Sequence, residues 1–213
     1  MLDAAQKQNL RWQWVLATTL GWLAAPIVGL LGLLVREPVA MFAVMPFTGF
    51  VLVGVAQWFV IRRYIHSARM WAFTGFPAGI GIGAIIASQI WAKLATAEVV
   101  VFFVGLAALG GALLGISQWW LLKPHSSKAQ RWIVVNPLAW VIGLIPGAGI
   151  AFLGMVVVGA GAGLERAIWA IIGGVLTGLV VVAIVVGIIT GNTLVWLLNS
   201  SHSASNPDEL TEL

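Results

Sequence analysis

Six long apolar runs alternate with short polar stretches along this chain, and that alternation sets its architecture. A helix crosses a bilayer with about 20 mostly apolar residues. The first run predicts a membrane helix over about 12–35, stopping at Arg36, Glu37 and Pro38. The second covers about 39–61 and stops at Arg62 and Arg63. The third covers about 70–92, and the fourth about 99–122, ending at Lys123 and Pro124. The fifth and sixth cover about 132–163 and 167–198, each over 30 residues. Runs of that length must tilt, kink or project from the bilayer. Pro137, Pro146 and Gly147 are kink sites expected in the fifth, with Gly187 and Gly191 softer sites in the sixth. Residues 1–11 read as a cytoplasmic N-terminus without an apolar signal core, and 199–213 as a polar, disordered cytoplasmic tail. The expected fold is all-α: one transmembrane domain over 12–198, a polytopic six-helix bundle.

Composition agrees. The 213 residues are 61% hydrophobic and 8% charged, with mean hydropathy +1.02, whereas a soluble domain is about 25% charged. This excludes a soluble globular enzyme and a disordered chain. The net charge of +4 raises the question of nucleic acid, but the basic residues are scattered over short loops and form no continuous face, so no nucleic-acid partner is expected. Cysteine is absent, which removes disulfides, thiolate metal sites and a thiol nucleophile.

Charge placement orients the bundle. Lys7, Arg11, Arg62, Arg63, Arg69, Lys123, Lys128 and Arg131 fall on one side; Arg36, Lys93 and Arg166 fall on the other. Basic loops stay cytoplasmic, so both termini are expected inside. Trp12, Trp14, Trp58, Trp71, Trp119, Trp120, Trp132 and Trp196 cluster at the same ends and read as an interfacial belt. Trp22 and Trp140 lie deeper, where a belt does not explain them.

The chain also repeats itself. Gly49, Gly54, Gln57 and Trp58 match Gly110, Gly115, Gln118 and Trp119 at an offset of 61, and the match continues through Arg62/Lys123 and Trp71/Trp132. Trp14 and Trp22 align in turn with Trp132 and Trp140. The pattern predicts three hairpins in parallel orientation, over about 12–61, 70–122 and 132–198. The third is the most diverged: it keeps Gly174 and Gly178 but lacks the Gln-Trp pair.

The Gly-spaced span ending in Gln-Trp-x3-basic, followed by Ala-x2-Trp, resembles a group of small multi-pass membrane proteins of cyanobacterial type that carry no assigned activity. The resemblance covers most of residues 11–145 and implies a bacterial inner membrane or thylakoid.

Gln57 and Gln118 are the most distinctive polar residues within the spans. Each shares a helix face with a glycine three positions earlier, Gly54 and Gly115. Such a pair admits a neighbouring helix closely and lets the amide bond across to it. Alternatively, the two amides line a polar pocket with Trp22, Trp140 and Asn136. The basic residues Arg62, Arg63, Arg69, Lys123, Lys128 and Arg131, flanked by Trp, are candidates for lipid or partner contact. The Gly-x3-Gly spacings read as packing faces within the bundle, or as a homo-oligomer face, best placed on the sixth span. No ionisable residue lies at the centre of a span, where coupled transporters place one. His66, His125 and His202 lie in loops or tail without metal-ligand spacing, and no nucleophile motif occurs. No cofactor, metal or catalytic residue is assigned. Two functions remain: a non-enzymatic scaffold or accessory subunit binding lipid, pigment or a partner helix, and a small permease or substrate-binding subunit for an apolar or weakly polar solute.

Overall fold

The computed structural model describes residues 2–31, 38–65, 68–94, 98–159 and 163–202. It has six long helices and, among the described residues, no strand: α1 (Ala4–Leu31), α2 (Pro38–Ile61), α3 (Gly75–Leu94), α4 (Val99–Leu122), α5 (Arg131–Gly159) and α6 (Leu164–His202). Five of these, α2 to α6, are long and apolar enough to cross a membrane, with α3 counted together with the turn that precedes it. This is compatible with an integral membrane protein. The described part of α1 falls short of that measure. Its first turns carry Lys7 and Arg11, and the apolar run expected to reach Val35 passes outside the described residues.

Local chemistry fixes where the helices begin. Asp3 Oδ1 accepts the Gln6 backbone N–H at 2.7 Å, while Gln6 Oε1 accepts the Asp3 N–H at 3.1 Å. This reciprocal cap starts α1 at Ala4, well before the expected position 12. Pro38 opens α2, where a missing N–H costs nothing. The third span begins differently from expectation: Ala68–Phe73 forms a 3-10 turn, and α3 starts only at Gly75. The Thr74 hydroxyl donates to the Trp71 carbonyl at 2.8 Å and closes that turn. α5 continues through Pro137 and Pro146. α6 has 39 residues, about 58 Å at 1.5 Å per residue, so it outruns a hydrocarbon core of about 30 Å. The expected tail is helical as far as His202, and its remainder lies outside the described residues.

Each helix packs on its chain neighbours, and α6 packs on α1. The six helices therefore close into a ring. Lipid is as apolar as leucine, so helix association in a bilayer depends on close packing and polar bonds rather than on exclusion from water. Glycine supplies the closeness. A Cβ at Gly75 would collide with the Phe50 carbonyl, and one at Gly178 would lie 2.5 Å from the Gly147 carbonyl oxygen. Backbones thus meet at the α2–α3 and α5–α6 seams, and the glycine faces of the fifth and sixth spans are used within the chain.

The belt reading needs correction for three tryptophans. Trp14, Trp71 and Trp132 are fully buried. Trp14 stands edge-to-face with Trp71 at 5.8 Å and with Trp132 at 6.1 Å between ring centroids. They are the heart of a core at the basic end of the bundle, together with Leu10, Ile61, Leu122 and Leu194. Trp12, Trp120 and Trp196 do face outward, as a belt requires.

Candidate functional site

The polar residues inside the bundle form one connected chain. Trp132 Nε1 donates to Gln118 Oε1 at 2.9 Å. Gln118 Nε2 donates to Gln57 Oε1 at 2.8 Å. Gln57 Nε2 donates to Thr18 Oγ1 at 3.0 Å, and the Thr18 hydroxyl donates to the Trp14 carbonyl at 2.9 Å. Trp14 Nε1 then donates to Thr190 Oγ1 at 3.0 Å, and the Thr190 hydroxyl donates to the Val186 carbonyl at 2.7 Å. The chain joins α5, α4, α2, α1 and α6, and every side chain in it is buried.

Helix geometry explains why these side chains meet. Gly54 brings α2 against the backbone around Trp71 and Gly75: its missing Cβ would lie 3.2 Å from the Ala72 carbonyl oxygen. Gly115 does the same for α4 against α5, where a Cβ would lie 3.2 Å from the Trp132 carbonyl oxygen and 3.0 Å from Asn136 Cβ. Gly187 places α6 within 2.9 Å of Val15 Cα by the same measure. Each glycine lies three residues before a polar acceptor, so each close approach carries Gln57, Gln118 or Thr190 towards the tryptophan cluster. Asn136 is buried and donates to the Trp132 carbonyl at 3.2 Å, one turn back along its own helix.

Trp22 and Trp140 belong to a second layer. Their rings meet edge-to-face at 5.0 Å, and Phe50 lies 5.2 Å from Trp22 and 5.3 Å from Trp140. Quadrupoles favour such tilted contacts over face-to-face stacking. Gly49 and Gly110 leave the space these rings need: a Cβ on Gly49 would strike Trp22, and one on Gly110 would strike Phe50. Thus Gln57, Gln118, Trp22, Trp140 and Asn136 each touch a neighbouring group within the bundle. The indole N–H groups of Trp22, Trp71 and Trp140 are buried without a hydrogen-bond partner.

The basic candidates stay at the surface. Arg62 lies over Trp58 at 4.8 Å and Phe59 at 4.7 Å; Lys123 lies over Trp119 at 5.5 Å; Lys128 and Arg131 lie over Trp196 at 5.2 and 4.8 Å. Aromatic faces attract such cations. Arg63 and Arg69 are exposed. His66 lies outside the described residues, and His125 Nδ1 sits 3.1 Å from the Leu121 carbonyl oxygen. Among the described residues, no group of three or more His, Asp or Glu could hold a metal ion.

Open grooves lie on the outside of the ring. One, of about 530 Å3, runs between α5 and α6 past Leu153, Gly154, Gly174 and Thr177. Another, of about 580 Å3, lies beside Met70, Phe73, Trp120 and Pro124. A third, of about 500 Å3, follows the α1–α6 seam beside Lys7, Arg11 and Asn192.

Thr18 and Thr190 complete the buried chain but carry no sequence signal as strong as an intramembrane glutamine. Their hydroxyls bond their own helix in any case, so they pass as neutral residues in an apolar run. Comparison with family models, with curated proteins and with solved structures finds no match to the chain.

Proposed function

We propose that this chain is a non-enzymatic integral membrane protein acting as a scaffold or accessory subunit, with its functional contacts on the outside of the helix ring. The observation that carries this reading is the filled centre. Gln57 and Gln118 spend their amides on each other, on Trp132 and on Thr18, and Trp22, Phe50 and Trp140 fill the adjoining layer. A permease for an apolar or weakly polar solute needs a chamber at that level, whereas Gln57 bonds Gln118 and Trp22 packs on Trp140.

The bundle is read as three hairpins in a ring. Support comes from the parts played by Gly54 with Gln57, Gly115 with Gln118, and Gly187 with Thr190, each against the backbone that bears Trp71, Trp132 or Trp14. In this reading the third copy carries threonine where the others carry glutamine. Both termini face the cytoplasm of a bacterial cell, by the excess of basic residues at that end.

Native mass spectrometry of the chain, gently extracted from its own membrane, tests the role. A protein subunit retained at fixed stoichiometry is expected. A lone chain carrying one small solute per molecule would replace this reading with the permease.

A further inference from the structure

We propose that the outer seam between α1 and α6 at the basic end binds one anionic phospholipid, with its phosphate held by Lys7 and Arg11. The groove there measures about 500 Å3. Its α1 wall carries Lys7, Arg11, Trp12 and Val15, all on one face of the helix, and its α6 wall carries Ile188 and Asn192.

The bond from Trp14 to Thr190 sets the register of the two antiparallel helices. Val15 therefore lies near Ile188, Trp12 near Asn192, and Lys7 and Arg11 beyond them towards the basic end. Read from outside inwards, the groove offers two cations, then an indole and an amide, then apolar side chains. A phospholipid presents a phosphate, then glycerol esters, then acyl chains in that same order.

Three observations favour this occupant. Among the described residues, Lys7 and Arg11 pair with no carboxylate and lie over no aromatic ring, unlike Arg62, Lys123, Lys128 and Arg131. Trp12 is 59% exposed, while Trp14, two residues on, is fully buried. Asn192 is an exposed amide on α6, one turn deeper than Trp196. An amide facing hydrocarbon needs a partner, and an ester carbonyl at that depth supplies one. The site depends on the chain being membrane-embedded and not on the accessory role.

The test is native mass spectrometry of the purified full-length protein in mild detergent, titrated with dioleoylphosphatidylglycerol or dioleoylphosphatidylcholine. One phosphatidylglycerol is expected to bind more tightly than the rest. The double variant Lys7→Gln/Arg11→Gln is expected to weaken that event roughly tenfold or more and to leave phosphatidylcholine unchanged. Asn192→Leu makes the groove more apolar without touching its charge, and is also expected to weaken it. Unfolding midpoints of lipid-free samples check that the variants fold. Unchanged affinity in both variants would overturn the proposal. So would an equal loss in Arg62→Gln/Arg63→Gln, which would mark diffuse charge attraction. Displacement of the lipid by millimolar glycerol phosphate would show a site for free phosphate instead, and would also overturn it.

Discussion

The Gln118 side-chain amide donates to the Gln57 carbonyl oxygen at 2.8 Å, joining two residues 61 positions apart in the chain. Their spacing equals the offset at which the sequence matches itself. Residues that match at that offset thus meet each other, and the contact ties α2 to α4 across the ring. Each amide is also bonded on its other side, Gln57 to Thr18 and Gln118 to Trp132.

That engagement predicts coupling. Gln57→Leu and Gln118→Leu should each lower stability, and the double variant should lose less than the sum. The coupling energy should be about 0.6–1.7 kcal/mol, the range for intramembrane side-chain bonds. A double-mutant cycle on unfolding in mild detergent measures it.

The three fully buried tryptophans, Trp14, Trp71 and Trp132, should respond differently to the same change. Trp14 and Trp132 donate to Thr190 and Gln118, whereas the Trp71 indole N–H has no partner. Substitution by Phe removes similar ring volume from each. Trp14→Phe and Trp132→Phe should therefore cost about 1 kcal/mol more than Trp71→Phe, as read from unfolding midpoints of the three variants.

Glycine substitutions should sort by available space. Gly75→Ala would drive a methyl group into the Phe50 carbonyl and part the α2–α3 seam. Gly149 and Gly105 have open space where a Cβ would stand. Gly149→Ala and Gly105→Ala should raise stability by about 0.5–1 kcal/mol through helix propensity, while Gly75→Ala should lower the yield of folded protein. Thermal unfolding and size-exclusion profiles distinguish the outcomes.

Orientation is open to a simple test because the chain has no cysteine. Ser127 is exposed in the turn between α4 and α5. In Ser127→Cys, a membrane-impermeant thiol reagent should label inverted vesicles and leave intact spheroplasts unlabelled.

The sequence made some of this legible for definite reasons. Apolar runs bounded by Arg62, Lys123 and Arg131 announced the helices, since charge at a span end is conspicuous. Gln57 and Gln118 stood out because an amide within an apolar run needs a partner. Trp14, Trp71 and Trp132 did not declare their burial: an indole next to a basic residue reads the same whether it faces lipid headgroups or a neighbouring helix. Thr190 was hidden because threonine is nearly neutral in hydropathy and bonds its own backbone. The start of α3 was obscured because Ala68–Phe73 is apolar enough to continue a helix, and only Thr74 and the contact at Gly75 end the turn.

The central claim is that the middle of the bundle is packed and dry, leaving no path for a solute. Thiol accessibility tests this most directly, with Ala78→Cys and Ala139→Cys, both at fully buried positions, placed singly in the cysteine-free chain. In membranes, a small methanethiosulfonate reagent should leave both thiols unmodified over a time in which Ser127→Cys reacts to completion. Rapid modification of either central cysteine in folded protein would contradict the account and point to a water-filled chamber.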